Sequence, residues 1–143
     1  MKVNSPAQPE WHEASAPTLA DFERLADAAY ARLPGTFREL CKNLVIQVED
    51  FPTDEVLKEL KLESPFDLLG LFSGVGLPHD SAVAETGRLP NHIYVYRRPI
   101  LDYWAEHDET LGQVITHVLV HEIGHHFGMS DEDMERLEVL ADH

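Results

Sequence analysis

Histidines and acidic residues are concentrated in one stretch near the C-terminus, HVLVHEIGHHFGMSDED, from His117 to Asp133. Four of the protein's nine histidines fall within the first ten residues of this stretch. His121 and His125 are four positions apart, and on an α-helix this spacing places two side chains about 40° apart around the axis and about 6 Å apart along it. Both imidazoles can therefore bind the same metal ion.

Glu122 directly follows the first of these two histidines. On a helix it lies about 100° around the axis from His121, so its carboxylate can reach a water on the ion without being a ligand. This is the H-E-x-x-H arrangement, typical of two zinc ligands and a general base. Gly128 follows three residues after His125, where a glycine lets the chain turn back, and Asp131 follows three further on. The extended pattern H-E-x-x-H-x-x-G-x-x-D is a specific signal for a zinc site.

The segment HEIGHHFGMSD is similar to the elongated zinc-binding motif of the metzincin clan, in the variant whose third ligand is Asp instead of His. With VYRRPI before it and HEIGHHFGMSDEDME at its end, the chain resembles the small bacterial zincin-like metallopeptidases, sometimes described as minimal metalloproteases. The resemblance covers the order of elements over most of 18–142, and specific residues over 117–135. It implies one zinc ion per chain, with His121, His125 and Asp131 as ligands and Glu122 as the catalytic base.

Three protein ligands leave a fourth position for water, as in catalytic zinc sites. Zinc lowers the pKa of that water towards ~7, and Glu122 can accept its proton and later pass it to a leaving amine. The predicted function is therefore zinc-dependent hydrolysis of peptide bonds, with an unidentified peptide or protein as substrate.

The third ligand has an alternative. If Asp131 is only the first residue of a last helix, a position that the helix dipole favours for an acid, then Glu135 or Glu138 is the substitute ligand. His117 lies one turn before the metal pair on the same face, so it can line a cleft, although a place in the core or on the surface is the favoured interpretation. His126 points away from the pair and is interpreted as a surface or supporting residue.

Aromatic and glycine-rich segments upstream offer further candidates. Tyr94, Tyr96 or Tyr103 could supply a hydroxyl that stabilises an oxyanion, although ordinary packing is the favoured role for all three. The strand predicted at 91–96 and the glycine-rich strand before it could hold an extended peptide at an exposed sheet edge, while the alternative is that both strands only form core.

Two other functions share the same residues. A zinc-binding interaction module could keep the ligands with little or no turnover. Small zinc endoribonucleases use H-x3-H-x5-H, a spacing that His121, His125 and Asp131 match. Glu122 and the formal net charge of -15 both argue against a ribonuclease, because such an enzyme must attract phosphate.

The composition bounds the remaining possibilities. The chain has 143 residues, of which 43% are apolar, and this predicts one domain at 18–143 preceded by a flexible proline-containing arm at 1–17. The acidic balance predicts no nucleic-acid partner. No run of apolar residues is long enough for a membrane span, and no secretory signal pattern begins the chain, so we expect no membrane partner and a cytoplasmic location. Cys41 is alone and cannot form an intramolecular disulfide.

The expected fold class is α+β, a small mixed sheet of about three to four strands packed against helices, with a long helix carrying H-E-x-x-H. Helical spacing and capping residues predict helices from Thr18 to Leu33, from Thr53, from Asp108 to Gly128, and from Ser130 through Leu140. Alternating β-branched residues predict strands at 44–50, 68–78 and from Asn91, the last stopped by Pro99.

Overall fold

The protein is described by a computed structural model that covers residues 10–73 and 91–141. The turn-rich stretch predicted at 79–90, the end of the strand predicted at 68–78, and residues 1–9 of the predicted arm lie outside these ranges. The described part of the arm contains one exposed 3-10 turn, Trp11–Glu13. The domain boundary at residue 18 stays a prediction.

The described residues form six α-helices and three strands, which confirms the α+β class. The helices are α1 (Leu19–Ala31), α2 (Gly35–Arg38), α3 (Asp54–Glu59), α4 (Arg97–Ala105), α5 (Leu111–His126) and α6 (Asp131–Ala141), and the strands are β1 (Val45–Glu49), β2 (Gly70–Ser73) and β3 (His92–Tyr96). Helix α5 is the longest and carries H-E-x-x-H, as predicted. No helix among the described residues combines the length and the apolar character needed to cross a membrane.

The three strands form one mixed sheet in the order β1-β3-β2. Strand β1 runs parallel to β3, with Val45 opposite His92, and β2 runs antiparallel to β3, with Gly70 opposite Val95. Within the described part of the chain, β2 is therefore an edge strand with β3 on one side.

One face of the sheet packs against α1 and α5. Successive side chains of a strand point to opposite faces of the sheet. The inner face therefore carries two cross-strand pairs, Val48 with Val95 and Phe72 with Ile93. All four side chains are buried. Helix α5 is buried almost all around its axis, through Leu111, Val114, Ile115, Thr116, Val118, Leu119, Val120, Ile123 and Gly124. A helix that is apolar on every side belongs in the core. The metal motif is thus held at the end of the central helix.

Side-chain caps fix where α1 and α5 begin. Thr18 and Asp21 form a reciprocal capping box at the start of α1, which confirms the predicted cap. The predicted cap of α5 at Asp108 is wrong. Thr110 Oγ1 accepts the backbone N–H of Gln113 at 3.1 Å, and the Gln113 side chain accepts the backbone N–H of Thr110 at 3.0 Å. In a capping box, the capping residue and its partner are three positions apart, as Thr110 and Gln113 are. Asp108 lies two positions before Thr110 and cannot form this pair with Gln113.

The expectation that Pro99 stops the third strand is also wrong. Strand β3 ends at Tyr96, and α4 begins at the next residue, Arg97. Pro99 lies in the first turn of α4, where backbone N–H groups have no partner within the helix, so the missing N–H of proline costs nothing there. No element is predicted from sequence between Pro99 and Asp108, because Pro99 is interpreted as the end of a strand, and α4 is therefore missing from the predicted elements.

Candidate active site

The C-terminal half of α5 borders a cleft of about 300 Å³. Its walls come from α5, from Tyr103 on α4, and from the segment that leads into β2; the lining residues are Asp67, Leu68, Leu69, Tyr103, Glu109, Val114, His117, Val118, His121, Glu122 and His125. Three histidines of this lining, His117, His121 and His125, follow each other at four-residue spacing. The predicted first and second ligands and the predicted base therefore face one cavity.

Glu122 lies against the sheet where β2 begins. A Cβ atom at Gly70 would meet Val118 Cγ1 at 2.6 Å, the Tyr94 carbonyl oxygen at 3.0 Å and Glu122 Cγ at 3.5 Å. Only a glycine leaves room for α5 to approach this strand. Burial raises the pKa of Glu122, and the nearby His125 acts in the opposite direction. A raised pKa makes a carboxylate a stronger base.

Helix α6 brings a carboxylate to the histidine face of α5. Glu138 Oε1 lies 3.0 Å from His117 Nδ1, and Glu138 Oε2 lies 3.0 Å from His121 Nε2. The rings of His117 and His121 are stacked with their centroids 3.9 Å apart. The ligand atoms of these three residues all lie within 4.8 Å of one another, close enough to hold one metal ion.

The surroundings of His121 favour its neutral form, which is the form that binds metals. Burial and then the neighbouring His117 lower the pKa of His121, against the opposing charge of Glu138. His125 is one turn further along α5, with its ring nearly perpendicular to that of His121 and the centroids 5.5 Å apart. His121 is thus flanked by a histidine on each side.

Asp131 is placed differently from the other predicted ligands. It is the exposed first residue of α6, following Ser130, whose Oγ accepts the backbone N–H of Asp133 at 3.1 Å. Gly128 has a φ of 75°, which confirms the predicted turn. Within the described ranges, Asp131 belongs neither to the cleft lining nor to the three-residue group around Glu138. Its role as a ligand stays a prediction.

A sequence model of the zincin-like metallopeptidase family matches residues 41–140. The chain belongs to this family. The match includes all three strands and ends within α6, so it spans every residue of the cleft. No curated protein matches the chain. The predicted resemblance is therefore confirmed at the level of the family.

Other candidates can now be placed in this zincin-like metallopeptidase. His117 lines the cleft, against the favoured interpretation of a core or surface residue, and its four-residue spacing from His121 is the signal that pointed there. His126 is half-buried against Phe72, with ring centroids 4.2 Å apart. Of the three candidate tyrosines, Tyr103 lines the cleft. Glu138, which the sequence offers only as a substitute ligand, is the acid that the fold brings to the histidines.

The donor atoms of the site suit zinc. Imidazole nitrogens combined with one carboxylate oxygen form a ligand set that zinc takes in hydrolases, whereas magnesium and calcium take oxygen ligands throughout. Members of the zincin-like metallopeptidase family typically bind zinc. Both the predicted set, with Asp131, and the group around Glu138 have this composition.

Proposed function

We propose that the protein is a zinc-dependent peptidase. In this proposal His121, His125 and Asp131 hold one zinc ion, and Glu122 is the general base. The observation that carries the proposal is that Glu122 lines the same 300 Å³ cleft as both histidines, with its side chain partly buried against the start of β2. A site that only held a structural ion would not need a carboxylate beside the first ligand.

The protein's own residues account for the proton transfers. When bound, zinc supplies Lewis-acid activation of a water and of the substrate carbonyl. Glu122 accepts the proton of the attacking water and then donates it to the leaving amine. The burial that raises the pKa of Glu122 makes its carboxylate a stronger base for the first of these transfers.

The edge position of β2 supports an extended peptide as the substrate. In the described residues β2 pairs with β3 only, and Gly70 at its start lies against the Glu122 side chain of α5. An extended peptide can pair with such an edge through main-chain hydrogen bonds. It would then run beside Glu122, which supports an extended peptide or protein segment as the substrate.

The test is Glu122→Gln, an isosteric change that removes the base. We expect hydrolysis of a mixed peptide library to fall by about 100-fold or more, the usual contribution of a general base, while about one zinc per chain is retained. Glu106→Gln, an exposed acid on the C-cap of α4, is the matched control and should hydrolyse peptides like the wild type.

Two outcomes would contradict the proposal. Zinc-loaded wild type that cleaves no peptide, but binds peptides equally well with and without Glu122→Gln, would favour the interaction module. If wild-type protein purified without chelators contains no zinc, both the zinc peptidase and the zinc-binding interaction module are excluded. Elemental analysis and mass spectrometry of the digested library provide these measurements.

A further inference from the structure

A second set of zinc-type ligands overlaps the predicted catalytic set. His117, His121 and Glu138 have their ligand atoms within 4.8 Å of one another, and only His121 belongs to the set inferred from the motif. The three residues come from two helices packed side by side, α5 and α6. The group is therefore a product of the fold, since Glu138 lies outside the H-E-x-x-H motif.

The spacing in this group is close to that of a zinc site. Ligand atoms about 2.0–2.2 Å from a tetrahedral zinc lie roughly 3.3 Å from one another. The two histidines each lie 3.0 Å from a different oxygen of Glu138, and one ligand atom from each of the three residues lies within 4.8 Å of the other two, so small shifts of the side chains would bring the three atoms to zinc distances. The side chains of His121 and Glu138 are 26% and 24% exposed, while that of His117 is 45% exposed, so the group is partly shielded and opens to solvent at His117.

The group has a simpler interpretation, in which Glu138 only accepts hydrogen bonds from the two imidazoles. Carboxylates often hold histidines in this way and fix which ring nitrogen carries the proton. In that case His117 Nδ1 and His121 Nε2, which face Glu138, both carry hydrogens. The nitrogen of His121 that remains free to bind a metal is then Nδ1. The two interpretations differ in whether zinc binding depends on Glu138 when the catalytic set is disabled.

We propose that His117, His121 and Glu138 form a second binding position for a zinc ion, which shares His121 with the catalytic set. A neutral imidazole offers one free nitrogen lone pair, so His121 serves one ion at a time and the two positions exclude each other. If the proposed function holds, an ion in the second position leaves the catalytic set without its first ligand, and that fraction of the protein is inactive. Among zinc-loaded molecules, the inactive share depends on the ratio of the two affinities and does not change with zinc concentration.

The test uses His125→Ala, which disables the catalytic set but leaves the second set intact. His125 is exposed, so the substitution removes little packing beyond its edge contact with the ring of His121. We expect this variant to bind one zinc per chain in calorimetric titration. Adding Glu138→Gln or His117→Ala should reduce zinc binding to the level of His121→Ala, because each change removes one of three ligands, whereas the loss of a residue that only supports a ligand costs about 10- to 100-fold.

The matched control adds His12→Ala to His125→Ala. His12 is another histidine with two nearby carboxylates, Glu10 at 3.7 Å and Glu13 at 3.5 Å, but it is exposed and lies outside the group. Its removal should leave zinc affinity unchanged. His121→Ala alone removes a ligand from both sets and sets the background level. Circular dichroism before each titration establishes that the variants are folded.

Two results would overturn the proposal: zinc binding by His125→Ala no stronger than by His121→Ala, or zinc binding by His125→Ala that stays above the His121→Ala level after Glu138→Gln or His117→Ala is added. The readout is independent of turnover, so a wild type without peptidase activity would refute the proposed function and leave the second position standing. If both proposals hold, Glu138→Gln in the otherwise wild-type chain increases hydrolysis per bound zinc.

Discussion

Gly70 determines how closely Glu122 can approach the sheet, because three neighbours surround the space that a side chain would take. The nearest is Val118 on α5, and the second is the carbonyl oxygen of Tyr94 on β3, which cannot move without disturbing the strand pair. The candidate base is thus positioned by a residue with no functional group. Nothing in the local sequence LLGLF indicates this, since the contact joins residues that are far apart along the chain.

We therefore expect Gly70→Ala to destabilise the fold by about 1–3 kcal/mol, the usual cost of overpacking. Urea denaturation measures the change. Gly112→Ala is the control, because the nearest atom to its added Cβ is Thr110 Oγ1 at 4.0 Å. As Gly112 lies within α5, that change should instead stabilise the protein by about 0.5–1 kcal/mol. Equal effects of the two substitutions would contradict the steric argument.

Asp131 and Glu138 are the two acids that compete for the role of third ligand. Removal of a true third ligand should lower peptide hydrolysis by at least about 10- to 100-fold, so we expect such a loss for Asp131→Ala. Glu132→Gln, on the next exposed residue of α6, should have no effect and is the control. Unchanged hydrolysis by Asp131→Ala, measured with the same peptide library, would move the third ligand to Glu135 or Glu138.

At the scale of elements, two residues compete as the cap of the central helix α5: Thr110, which caps it in the structure, and Asp108, which the sequence pattern favours. Thr110→Ala removes the side chain that accepts the Gln113 N–H, and we expect it to cost about 1 kcal/mol of stability. Asp108→Ala removes the residue that the sequence pattern favoured, and we expect a change within about 0.5 kcal/mol, as for most surface positions. Denaturation midpoints of the two variants provide the measurement. A larger loss of stability in Asp108→Ala than in Thr110→Ala would instead identify Asp108 as the cap of α5.

The sequence predicted those elements whose signals are local. The Thr18 cap of α1, the turn at Gly128 and the apolar faces of the three strands each depend on residues within a few positions of one another. Helix α4 was missed because Pro99 within it was interpreted as the end of a strand. Its burial depends on contacts with α5 and with the turn before β2, which a local pattern does not contain.

The angle at which α6 returns along α5 was beyond prediction from sequence. Met134 on α6 packs onto Gly124 on α5, so closely that a Cβ at Gly124 would meet Met134 Cγ at 2.8 Å. This contact sets the rotation of α6, and with it the residues of α6 that face the histidines. Glu138 faces them one turn beyond Met134, whereas Asp131 remains exposed at the start of the helix.

For the whole molecule, buried groups that ionise at high pH limit stability in alkali. Burial, followed by the charge of Glu49, raises the pKa of Tyr96 to about 12. Burial raises the pKa of the Cys41 thiol and also that of Tyr30, whose hydroxyl lies 3.2 Å from Cys41 Sγ. A group with a higher pKa in the folded state stabilises the fold fully below its unfolded pKa and loses that effect as the pH rises through the folded pKa.

We therefore expect the free energy of unfolding to fall as the pH rises from about 9 to about 12, the window between the ordinary pKa of cysteine and the raised pKa of Tyr96. Urea titrations at several pH values give the slope. Tyr96→Phe should make this decline less steep, because the variant has no hydroxyl to ionise at that position. Parallel curves for the variant and the wild type would rule out a contribution from Tyr96.

The parallel pairing of β1 with β3 also has a consequence for how the molecule assembles. Val45 finds its partner, His92, roughly 50 residues later, and the entropy lost in closing so long a loop must be offset before the pair stabilises anything. The turn at Gly128 closes only a few residues between α5 and α6. Contacts of high sequence separation slow folding, so the helical pair that carries the histidines can form early, while β1 joins the sheet late.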